Sequence, residues 1–94
     1  DAGIGGVTAE VVGRKLYELA RHHQIICITH LPQIAKFGER HFSITKQVAA
    51  GRTRTAIRPL SKKDRYREIA RMLGGIAITE QTRAHAREML ATQH

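Results

Sequence analysis

At 94 residues the chain is one domain at most, or a piece of one, and a chain this short buries only roughly two-thirds of its unfolded surface. Lys and Arg outnumber Asp and Glu by 16 to 8, a net charge of +8 with the histidines neutral, which points to a polyanionic partner or else to a solvated basic face. A single cysteine excludes an internal disulfide, and no apolar run approaches the ~18 residues of a membrane span, so a reducing, cytosolic setting is expected.

The chain opens on Asp1-Ala-Gly-Ile-Gly-Gly6, a glycine-rich stretch suited to a tight loop or a close backbone approach. The pattern G-x-x-x-x-G-K-[ST] occurs nowhere, so the segment has no phosphate-cradling P-loop of its own. A helix is expected from Thr8, with Thr8 as its N-cap and Glu10 favourable in the first turn. Val11, Val12, Leu16, Leu19 and Ala20 would form its packing face. His22 and His23 close it, near the negative end of the helix.

Gln24–Pro32 is the stretch around which the rest is organised. Ile25 to Ile28 are too few for a helix, and their lack of alternation suggests a strand buried on both faces, as in a parallel sheet. Cys27 would be a small buried hydrophobe within it. Loop, helix and buried strand in that order predict α/β crossover architecture. In open α/β sheets ligands bind beyond the carboxyl ends of the strands, which is where Thr29-His30 falls, although a lone histidine at a strand end reads more plainly as a loop or capping residue. Deprived of neighbouring strands, the same stretch would expose apolar surface and unpaired edges.

A short helical piece over 33–37 follows, ending at Gly38. Then His41–Val48 alternates, Ala49-Ala-Gly51 supplies a turn, and Arg52–Arg58 alternates again, which predicts a β-hairpin closed by Pro59. Its second strand sets Arg52, Arg54 and Arg58 on one face and Thr53, Thr55 and Ile57 on the other. The arginines are candidate DNA or surface contacts; the plainer and favoured reading is an edge strand kept from aggregation by charge. Ser61-Lys-Lys-Asp64 reads as a capping box opening a helix packed through Tyr66, Ile69, Ala70 and Leu73, with Lys62, Arg65 and Arg71 on its basic face and Gly74-Gly75 as its end. Thr79-Glu80 opens a last helix, packed through Thr82, Ala86, Met89 and Leu90. The six histidines have no metal-ligand spacing, so a zinc site is rejected.

Taken in order, Asp1–Gly6, Ile28-Thr-His-Leu-Pro-Gln33, Ala70-Arg-Met-Leu-Gly-Gly75, Ile78-Thr79 and His85-Ala-Arg-Glu-Met-Leu90 closely resemble the C-terminal end of the RecN family, bacterial DNA-repair ATPases related to the SMC proteins. The resemblance spans nearly the whole chain. It implies an α/β fold, the C-terminal portion of an ABC/SMC-type P-loop NTPase head, with a parallel core strand, a β-hairpin and flanking helices. In that family the head is assembled from the two ends of a chain interrupted by a long antiparallel coiled coil, the N-terminal part bringing Walker A. This sequence would begin just after Walker B. Asp1 resembles the aspartate after the catalytic acidic pair, and Ala2, Gly3, Ile4, Gly5 and Gly6 resemble the D-loop that faces a partner head. Gly5 stands where many such proteins have an aspartate.

The resemblance further implies a D-loop over 1–6, an H-loop over 28–33, a hairpin over 41–58 and helices over 62–74 and 80–92, together an incomplete domain. Within it His30 resembles the switch histidine, a catalytic contact to the γ-phosphate. The implied cofactors, ATP and Mg²⁺, would be bound by the parent protein through ligands mostly outside this segment, which alone should be inactive. The implied partners are the N-terminal half of the same head, a second head in a homodimer, and DNA, with no membrane; the implied location is cytoplasmic and nucleoid-associated. The competing function class is a small basic nucleic-acid-binding module without catalysis.

Overall fold

Helical spacing of apolar residues writes the largest part of the structure. The computed structural model describes residues 5–74 and 78–92. Along them run α1 (Gly6–Leu19), α2 (Pro32–Ala35), β1 (Phe42–Ala49), β2 (Arg52–Pro59), α3 (Lys62–Gly74) and α4 (Glu80–Ala91). The chain is thus α/β: a two-stranded antiparallel sheet with helices before and after it. None of the helices described is long and apolar enough to cross a membrane.

The core lies between α3 and α4. Ile69 and Ala70 meet Ala86 and Met89, and Tyr66, Leu73 and Leu90 pack around them. Ser61 Oγ accepts from the Asp64 backbone N–H at 3.1 Å, and Thr79 Oγ1 accepts from that of Thr82 at 3.1 Å, so each helix has an orphan donor capped. Arg65 is not on the solvated face. It turns inward, half-buried, and its Nη2 donates to the carbonyls of Ala35 and Lys36 at 3.4 and 3.0 Å and also to that of Gly38. Those carbonyls, at the end of α2, carry the negative pole that draws a cation.

A smaller contact joins α1 to α2. Here α1 begins at Gly6, with Gly5 as N-cap, so Thr8 sits inside the first turn and caps nothing. The packing positions are Ala9 and Gly13, both buried, flanked by half-buried Leu16 and Tyr17; Val11, Val12 and Leu19 face outward. Size decides this. A Cβ on Gly13 would stand 2.5 Å from Phe37 Cδ2 and 3.1 Å from the Gln33 carbonyl oxygen, so the backbones approach only because there is none. The valines would have held the two apart.

The buried strand expected over Ile25–Ile28 is absent. Residues 24–29 carry no regular structure, Ile26 and Ile28 are 86% and 85% exposed, and Cys27 is exposed. A strand is defined by its neighbours, and among the described residues the strands are β1 and β2, paired with each other.

In the hairpin, Ala49 pairs with Arg52, leaving the two-residue turn Ala50-Gly51 with φ of 53° and 76°. Positive φ at both positions is the type I′ signature, whose twist matches that of the flanking strands. Register sets Phe42, Ile44, Val48 and Ile57 on one face, and Ser43, Gln47, Arg52, Arg54 and Arg58 on the other. Neither face is covered: every residue of the two strands is exposed except half-buried Ser43, and Val48 and Ile57 are 75% and 66% exposed.

Candidate functional site

His30 stands between the irregular 24–29 stretch and α2. Thr29 Oγ1 accepts from the Leu31 backbone N–H at 3.0 Å, and Pro32 takes the first helical position, where a missing N–H costs nothing. His30 itself is exposed. The turn is fixed from its C-terminal side. Lys36, 5% exposed, reaches Glu10 on α1 with Nζ 2.7 Å from Oε2 and lies over the Phe37 ring, while Arg65 grips the α2 carbonyls from the other side. An exposed imidazole on a turn pinned to two helices can meet a group presented from outside while keeping its position.

Of the candidate D-loop, Asp1, Ala2, Gly3 and Ile4 lie outside the described residues. Gly5 is the exposed N-cap of α1, and Gly6 lies beside Gln33, three residues past His30: a Cβ on Gly6 would be 3.9 Å from Gln33 Nε2. The start of α1 and the His30 turn are therefore neighbours. Among the described residues no group of His, Cys, Asp or Glu is arranged to hold a metal ion.

Arg52, Arg54 and Arg58 share the exposed polar face of the hairpin, away from His30's turn in sequence and on a different element. Arg58 donates to Asp64 Oδ2 at 3.5 Å, and Arg67 Nη1 lies 3.9 Å from the other oxygen of that carboxylate. Beyond Arg67, α3 and α4 form a groove of about 490 Å³ whose cations are Lys63, Arg67, Arg83 and Arg87. Arg87 donates to the Tyr66 hydroxyl at 3.0 Å and lies over its ring at 5.5 Å. The groove is not among the sites expected from the sequence. The signal was available: Lys63 with Arg67, and Arg83 with Arg87, are each four apart and so share a helix face.

Behind the hairpin's base, His41 is half-buried against α3. Burial pushes its imidazole pKa down, the Arg65 guanidinium pushes it further, and Glu68 opposes both. The Glu68 carboxyl is held below its ordinary range chiefly by Arg71, which donates to it at 2.8 and 2.6 Å.

Comparison with known proteins gives these features a family. Proteins named DNA repair protein RecN are 40% identical to this chain over 90 residues in Bacillus subtilis strain 168, 47% over 90 residues in Vibrio cholerae, and 45% over 92 residues in Mycobacterium tuberculosis strain H37Rv. The matches take in 96%, 96% and 98% of this chain. The chain is a RecN-family segment. It spans only 16%, 16% and 15% of the length of those RecN proteins. No family model matches it. The match takes in His30, both strands of the hairpin and the α3–α4 groove, so all three belong to the part shared with RecN relatives.

Proposed function

We infer that this segment supplies the switch histidine and one edge of the head-dimer interface to an SMC-like, ABC-type ATPase acting in DNA double-strand-break repair. What supports the reading is the place of His30: it follows an apolar stretch too short for a helix and without partners here, on a turn fixed to α1 and α3. In the completed head, Ile25–Ile28 would be inserted between strands from the rest of the protein and become the parallel core strand. That would bury the isoleucines and set His30 beyond the carboxyl end of the sheet, where phosphates are bound.

There the imidazole of His30 would donate a hydrogen bond to the γ-phosphate, and Gly5 and Gly6, the latter beside Gln33, would face the partner head. A positioned donor at developing phosphate charge is the main kind of help phosphoryl transfer takes from a protein. The residues of the segment do not by themselves fit the whole cofactor. The sequence has no P-loop pattern, and the described residues form no cation-holding cluster, so Mg²⁺ and most phosphate ligands are assigned to the rest of the parent.

The test is His30→Ala in the complete protein. Ground-state affinity rests mostly on the P-loop, so ATP binding should stay near normal, while turnover falls about a hundredfold, from the loss of ~3 kcal/mol at the transition state. His85→Ala, exposed on α4, is the control. Unaltered turnover in a folded His30→Ala protein would refute the switch role.

A further inference from the structure

We propose that the hairpin arginines and the α3–α4 groove form one continuous basic track that follows the phosphate backbone of duplex DNA. The joint is Asp64. Its two oxygens face Arg58 at the base of β2 and Arg67 at the edge of the groove, at 3.5 and 3.9 Å, so the two basic surfaces meet on one carboxylate. From the hairpin tip inward the cations are Arg52, Arg54 and Arg58; past the joint come Lys63, Arg67, Arg83 and Arg87. Asp64 and Glu80 are the carboxylates set among them.

The cations are available. The side chains of Arg58, Arg67, Arg83 and Arg87 are 66%, 64%, 55% and 59% exposed, and the pairs they make with Asp64 and Glu80 are 3.5 to 3.9 Å long, a geometry that holds exposed ions weakly. Phosphate can displace such pairs at little cost. A ribbon whose alternate residues all point one way sets its arginines in steps of about 7 Å, one step from Arg52 to Arg54 and two from Arg54 to Arg58.

Duplex rather than single-stranded nucleic acid follows from what the track lacks. Single strands are held by stacking bases on exposed aromatic rings. Phe42 lies on the opposite face of the hairpin, and the Tyr66 ring is covered by Arg87 with its hydroxyl engaged. A row of cations whose one ring is already covered by Arg87 reads backbone charge without reading sequence.

The proposal rests on the repair reading only for taking DNA as the polyanion, and it does not depend on His30. It is therefore tested in the complete protein without nucleotide, by titrating a random-sequence duplex over a range of salt. Arg54→Gln and Arg83→Gln should each lower the slope of log affinity against log salt by about 0.9, and the pair together by about twice that. Arg→Lys at the same positions should retain the slope. Asp64→Asn, which removes the negative charge at the joint, should tighten binding. Lys46→Gln, on the other face of the same hairpin, should change nothing. The track is overturned if only one of the two arginines moves the slope, if Lys46→Gln moves it equally, or if Asp64→Asn weakens binding in a folded protein. Tighter binding of a single strand of equal length, lost in the same arginine variants, would overturn the choice of duplex.

Discussion

His41 is a side chain whose environment reaches beyond its own residue. Facing it are Arg65, which disfavours its charged form, and Glu68, which favours it, and burial outweighs the latter. Its folded pKa therefore lies below the unfolded value of 6.5. Above pH 6.5 neither state binds the proton and the full stability is present. Below it the unfolded chain takes up the proton first, so stability falls until the lower folded pKa is passed, and then levels off. Thermal melting at one fixed concentration should show the midpoint dropping as pH is lowered from 7.5 towards 5.5, and His41→Gln should flatten that limb. Glu68 acts in a separate window: its depressed pKa gives stability that is present above about 4.5 and lost at more acid pH. A midpoint that rises on acidification through 6.5 would contradict the assigned environment. None of this was legible in the sequence, where His41 is one histidine at a strand end and Arg65 one more cation on a helix. Both owe their character to the fold bringing α2 and the base of the hairpin against α3.

At the scale of elements, local chemistry was most legible where it acts locally. The i, i+3, i+4 spacing of Tyr66, Ile69 and Ala70, the caps at Ser61 and Thr79, and the alternation of Arg52–Arg58 all describe structure formed within a few residues. Val11 and Val12 misled because the face α1 uses is chosen by α2, and a close approach favours Gly13 over larger apolar residues. The hairpin turn exposes a cost in the sequence. Ala50 has φ of 53°, a region that a Cβ makes unfavourable by about 1 kcal/mol and that Asn tolerates. Ala50→Asn should strengthen the hairpin by about 0.5–1 kcal/mol, read as a roughly two- to five-fold slowing of amide exchange across β1 and β2. Since the hairpin's faces are uncovered, exchange in the α3–α4 core should be unaffected. Slower exchange in α3 and α4 as well would mean that the hairpin and the core open together.

For the whole molecule the telling feature is how much apolar surface has no cover. Val7, Val11 and Leu19 on α1, Ile26 and Ile28 beyond it, and Phe42, Ile44, Val48 and Ile57 on the hairpin are all half-exposed or more. Against these, Ile69 is the largest side chain fully buried among the described residues. Burying one such side chain fully is worth about 1.5–3 kcal/mol, so covering these faces would add several kcal/mol of stabilisation. RecN relatives about six times longer have chain enough to cover them, and the double-faced run Ile25–Ile28 has the composition of a strand waiting for two neighbours. On its own the 94-residue segment should satisfy these faces with further copies of itself. Sedimentation of the isolated segment should give a mass that rises with concentration, with a melting midpoint that rises alongside it. Replacing Ile26 and Ile28 by Lys should shift that association towards monomer by about 3 kcal/mol or more, because both side chains are already exposed and folding of the α3–α4 core does not use them. The same pair of substitutions in the complete protein should have the opposite consequence, loss of a folded head, since two charges would then be buried without partners. A stable monomer at all concentrations, with a cooperative melt that does not move, would show the uncovered faces to be ordinary surface.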